Sequence, residues 1–63
     1  MELTEYQIKI IEYLKDGYTN KELSYKIGYS LSWIEKEKNF LRYIFESKTD
    51  AQLIYKYYLK NKQ

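Results

Sequence analysis

The sequence predicts an all-α fold of four helices, on three observations. Helix-start signatures recur four times along the chain, at Thr4, Thr19, Ser30 and Thr49. Apolar residues follow each of them at three- and four-residue spacing, the period of a helix with one buried face. Proline is absent, and the only two glycines, Gly17 and Gly28, fall between the expected helices.

The first helix, about 4–16, opens on Thr4-Glu5-Tyr6-Gln7, a capping box in which the Thr hydroxyl accepts from the N–H three residues on and Gln7 reaches back. Leu3 and Ile8 stand where a hydrophobic staple would fix the start. Ile10, Ile11 and Leu14 form its inner stripe, and Gly17 supplies the left-handed residue that ends it. Thr19-Asn20-Lys21-Glu22 is a second capping box and opens a short helix, about 19–27, with Leu23 and Ile27 on one face and Gly28 after it. Ser30 caps the third helix, about 31–46, through which Ile34, Leu41, Ile44 and Phe45 recur. Thr49-Asp50-Ala51-Gln52 is a third capping box, and the last helix, about 50–61, carries Leu53, Ile54, Tyr57 and Tyr58 in one stripe.

Length and composition set the frame. Sixty-three residues make one domain, 1–63, and a chain this short buries only roughly 60% of the surface its unfolded form exposes. Cys and His are both absent, which excludes disulfide staples and zinc, and a second subunit is the remaining source of buried area. No apolar run approaches the ~18 residues of a membrane span, and Met1-Glu2 does not begin a signal peptide, so a cytoplasmic location is expected. The net charge of +2 is unevenly placed: residues 1–30 hold four Lys against five acids, residues 31–63 seven Lys and Arg against four. A mildly basic second half is what that implies, and solvated helix faces would give the same count.

Residues Thr19 to Phe45 form two helices joined by Gly28-Tyr29-Ser30, the layout of a helix-turn-helix, whose second helix enters the major groove. Leu3-Thr4, Ile10-Ile11, Leu14, Gly17, Thr19-Asn20-Lys21-Glu22-Leu23, Lys26-Ile27-Gly28-Tyr29-Ser30, Ile34 and Lys48-Thr49-Asp50-Ala51-Gln52-Leu53-Ile54 together resemble the LuxR/GerE-type domain. The likeness runs from Leu3 to about Tyr57 without a gap. It implies that the start of the third helix reads bases and that the fourth helix forms a dimer contact. On that basis Thr19, Asn20 and Lys21 would meet phosphate, while Ser32, Trp33, Lys36 and Asn39 would face the groove. Leu53, Ile54, Tyr57 and Tyr58 would form a homodimer seam.

The sequence departs from that family where DNA would lie. Ser32-Trp33-Ile34-Glu35-Lys36-Glu37 stands where the family has a basic or polar run, and Asp50 replaces a frequent Arg. Three acids there oppose the phosphate attraction on which such binding depends, although one carboxylate can accept from cytosine N4. Lys21, Lys26, Lys36, Arg42 and Lys48 are the compensating cations. Lys38 replaces an apolar residue and weakens the core seam by one position; Glu46 replaces a glycine at the junction before the last helix. Nine tyrosines enlarge the contact area available, and an AT-rich coding sequence would produce many of them without selection for contact.

No catalytic pair is legible. The usual nucleophile–base combinations are missing, there is no Gly-rich phosphate loop, and Glu35 and Glu37 are two apart on a helix and diverge. The expectation is therefore a non-enzymatic, cofactor-free transcription regulator of a phage or bacterial kind. One reading is a dimeric DNA-binding protein. The other is a helix-turn-helix that binds another transcription regulator, with Trp33, Glu35, Glu37 and the tyrosines as its contact face.

Overall fold

The computed structural model describes residues 2–61; Met1, Lys62 and Gln63 of the expected 1–63 span lie outside the described residues. Four α-helices and, among the described residues, no strands make up the chain. They are α1 (Glu5–Lys15), α2 (Asn20–Ile27), α3 (Leu31–Ile44) and α4 (Asp50–Lys60). Each starts on the residue expected to cap it. Both halves of the capping box are formed at Thr4/Gln7 and at Thr19/Glu22, and the Ser30 hydroxyl accepts from the Trp33 N–H. At α4 the box is only half made. Thr49 accepts from the Gln52 N–H, but the Gln52 side chain accepts from the Lys48 N–H, one residue earlier than expected.

Two helix ends share one geometry. After α1, Gly17 donates to the Leu14 carbonyl and Tyr18 to that of Tyr13; after α3, Glu46 donates to Tyr43 and Ser47 to Arg42. Both are Schellman motifs, which require a left-handed residue after the cap. Gly17 takes φ +90° there without penalty, whereas Glu46 takes φ +52° with a full side chain. That turn ends α3 at Ile44, two residues before the expected 46.

The core is built by all four helices. Ile10 and Ile11 of α1, Leu23 of α2, Ile34 and Leu41 of α3, and Leu53 of α4 are fully buried. Burying such a side chain is worth roughly 1.5–3 kcal/mol. Leu14, Ile27, Ile44, Phe45, Ile54, Tyr57 and Tyr58 are half-buried and pack against this cluster. The α2–α3 contact is the most extensive, and α4 closes the opposite side mainly against α1.

One expectation is corrected here. Leu53 has no exposed surface and so drops out of the expected seam, because α4 packs it against α1; Ile54, Tyr57 and Tyr58 of the same stripe are half-buried. Lys38, expected to interrupt the apolar seam, is buried within it and finds polar partners. It is 6% exposed, and its ammonium reaches Asn20 Oδ1 and Asp50 Oδ2, each at 2.7 Å. One lysine thereby ties α2, α3 and α4 together.

Candidate nucleic-acid interface

The α2–α3 pair is positioned by Gly28, whose φ of +90° closes α2 in the left-handed conformation, and by the Ser30 cap that restarts the chain as α3. Between them the Ser24 hydroxyl donates to the Tyr29 carbonyl at 2.5 Å, bracing the turn. On α3, Ile34 and Leu41 face inward, which leaves Ser32, Glu35, Lys36 and Asn39 exposed. Their spacing of i, i+3, i+4 and i+7 makes one edge of the helix.

The three acids expected to repel phosphate are not equivalent. Glu35 is exposed on the edge. Glu37 is half-buried, turned towards α1, where its Oε1 accepts from Gln7 Nε2 at 3.1 Å. Asp50 uses both oxygens on cations: Oδ2 on Lys38 and Oδ1 on Arg42, each at 2.7 Å. The expected placement of Glu37 in the groove is therefore corrected, because the Gln7 amide gives its carboxylate a partner on the other side of α3.

The cations are divided in the same way. Lys21 at the start of α2 and Lys36 on α3 are exposed. Arg42 is half-buried; besides Asp50 it donates to Asn39 Oδ1. Asn20, expected to meet phosphate, instead accepts from Lys38 and is half-buried. Thr19 is exposed, and its hydroxyl already accepts from the Glu22 N–H as a cap. Asn20, Glu35, Lys38, Asn39 and Arg42 together line a polar cleft of about 290 Å³ at the outer junction of α2 and α3.

Trp33 belongs to an aromatic cluster. Its ring stacks on Tyr29 at 4.2 Å between centroids, and Tyr6 of α1 meets both rings edge-on at 5.3 and 6.0 Å. The neighbouring Tyr6 phenol holds the Tyr29 phenol above its ordinary value of 10.0. Trp33 is half-buried and packs against the edge of the core, leaving part of the ring accessible.

No family model, no curated protein and no solved structure matches this chain. The site's chemistry therefore stands on its own residues. Among the described residues no three His, Cys, Asp or Glu side chains gather as a metal site would require, and no helix is long and apolar enough to cross a membrane.

Sequence reasoning missed three participants. Gln7 was accounted for by its capping role, yet a Gln amide also has two donors to place. Tyr6, inside the first capping box, carries no local signal of its contact with Tyr29 and Trp33. Lys38 carried a legible signal: it sits four after Ile34 and three before Leu41, inside the buried stripe, where a lysine needs an anion.

Proposed function

We propose that this chain is a helix-turn-helix transcription regulator of the LuxR type that binds duplex DNA through the exposed edge of α3. The observation that carries the reading is the edge Ser32, Glu35, Lys36 and Asn39, from which two of the three opposing acids have been withdrawn into internal contacts. Lys36 and the Asn39 amide are donors to base edges or phosphate, Glu35 is an acceptor suited to cytosine N4, and Lys21 supplies a phosphate contact from the start of α2. A homodimer remains part of the proposal. Its α4 contact moves to the outward side of the helix, where Tyr55 and Leu59 are 65% and 57% exposed.

A salt titration of binding to random-sequence duplex DNA tests this reading. Log K should fall by roughly 0.9 per decade of salt for each phosphate contact, and Lys21→Ala or Lys36→Ala should each remove about one contact. Glu35→Lys should tighten binding. Glu37→Lys should not, because it exchanges the Gln7 hydrogen bond for a half-buried cation. Absence of binding at low salt would defeat the proposal.

One observation favours a protein partner instead. Tyr6 and Tyr29, 43% and 42% exposed, pack on Trp33 at the start of α3, an aromatic arrangement of the kind found at interface hot spots. Under that reading Tyr29→Ala would abolish capture of another regulator while leaving DNA affinity unchanged.

A further inference from the structure

We infer that Asp50 is an internal counter-ion that competes with DNA phosphate for Arg42 and thereby holds down the affinity of the α3 edge. The inference rests on the DNA-binding reading above.

One carboxylate serves two cations at 2.7 Å, Lys38 through Oδ2 and Arg42 through Oδ1, so the triad carries a net charge of +1 in place of +2. The two cations are not equally free to leave. The Lys38 side chain is 8% exposed and is held a second time by Asn20, whereas that of Arg42 is 28% exposed. Arg42 also donates to Asn39, three residues earlier on the same helix and part of the proposed DNA edge. A phosphate approaching Asn39 thus meets a guanidinium whose NH1 is already engaged by an anion within the protein. To form the bidentate contact that suits guanidinium and phosphate, it must displace Asp50. Glu35, the carboxylate that lines the cleft beside Arg42, makes no ion pair among the described residues and does not hold Arg42.

The position of Asp50 makes this an adjustable contact. It is the first residue of α4, after the Thr49 cap, with 37% of its side chain exposed. Thr49 holds the helix start whether or not the carboxylate is charged, so loss of the charge does not remove the cap.

The test is the same salt titration with random-sequence duplex, run on the wild type and three variants. Asp50→Asn removes the competing charge. Lys38→Met with Asp50→Asn does so without leaving a buried ammonium unpaired, and keeps the test valid if the single variant folds poorly. Arg42→Gln with Asp50→Asn removes the cation that is supposed to be released. The first two should steepen the slope by roughly 0.9, which corresponds to about an eightfold gain in affinity at 0.1 M salt relative to a 1 M reference. The third should return the slope to the wild-type value or below it. Binding by the wild type with an unchanged slope in the first two variants overturns the competition alone. A shallower slope in them overturns it too, by showing that Asp50 orients Arg42 for DNA. If neither wild type nor variant binds, the DNA reading itself fails and takes the inference with it.

Discussion

Replacing Glu46 by glycine should stabilise the protein. Glu46 occupies the left-handed position of the turn after α3, at φ +52°, in the same Schellman geometry that Gly17 occupies after α1. A left-handed backbone costs an L-residue roughly 1–2 kcal/mol, while glycine's greater freedom when unfolded costs about 0.5–1 kcal/mol in return. The net gain expected is therefore about 0.5–1 kcal/mol. Little else changes. The Glu46 side chain is exposed and accepts no hydrogen bond among the described residues, and the contact with Lys56 Nζ at 2.6 Å is made by its backbone carbonyl, which glycine keeps. For a domain of this size about 1 kcal/mol moves the melting temperature by roughly 4–8 °C, so the Glu46→Gly shift should lie between roughly 2 and 8 °C in a thermal melt followed by circular dichroism. Glu46→Ala, which removes the carboxylate but keeps a Cβ, should gain far less. Gly17→Ala should lose about 1 kcal/mol by the reverse argument, since a Cβ there meets nothing within 4 Å and the cost is wholly conformational. Equal gains from Glu46→Gly and Glu46→Ala would refute the backbone account and place the effect in the charge.

Three further outcomes are expected. Leu53→Ala should cost about 2–5 kcal/mol and unfold much of the population in a urea titration, the signature of a core cavity. Lys38→Met should leave stability level or raise it, whereas Asp50→Ala should cost about 3–5 kcal/mol, because only the second leaves a buried charge without its anion. The Tyr57 phenol is pushed above 10.0 by burial, then by the charges of Tyr58 and Glu12. An unfolded chain then releases that proton more readily than the folded one, so stability is intact below pH 10 and falls as pH rises beyond it. Melts across this range should show a smaller alkaline loss for Tyr57→Phe than for the wild type.

Local chemistry made the helices readable before the structure. Thr4, Thr19, Ser30 and Thr49 each satisfy an N–H at a helix start, and that requirement acts within four residues. The glycine punctuation was readable for the same reason. The core stripes also followed from spacing, down to Ile10, Ile11, Leu23, Ile34, Leu41 and Leu53. What spacing does not give is the partner of each stripe. Leu53 could be assigned to a seam between copies because an apolar face on α4 reads the same whether α1 or another protomer covers it. The polar contacts were less legible still. Glu37 meets Gln7 across thirty positions of sequence, and Lys38 meets Asn20 across eighteen. Glu46 stands where the resemblance implies a glycine, and it adopts the left-handed conformation that a glycine takes without penalty.

The stack of Trp33 on Tyr29 gives this molecule a built-in optical reporter. Trp33 is the chain's sole indole, so its fluorescence has one origin, and Ser32 of the proposed recognition edge adjoins it in sequence. A duplex or a protein seated at the N-terminal end of α3 would lie beside that ring and change its surroundings. Emission from an unlabelled sample should therefore report occupancy of that end of the edge.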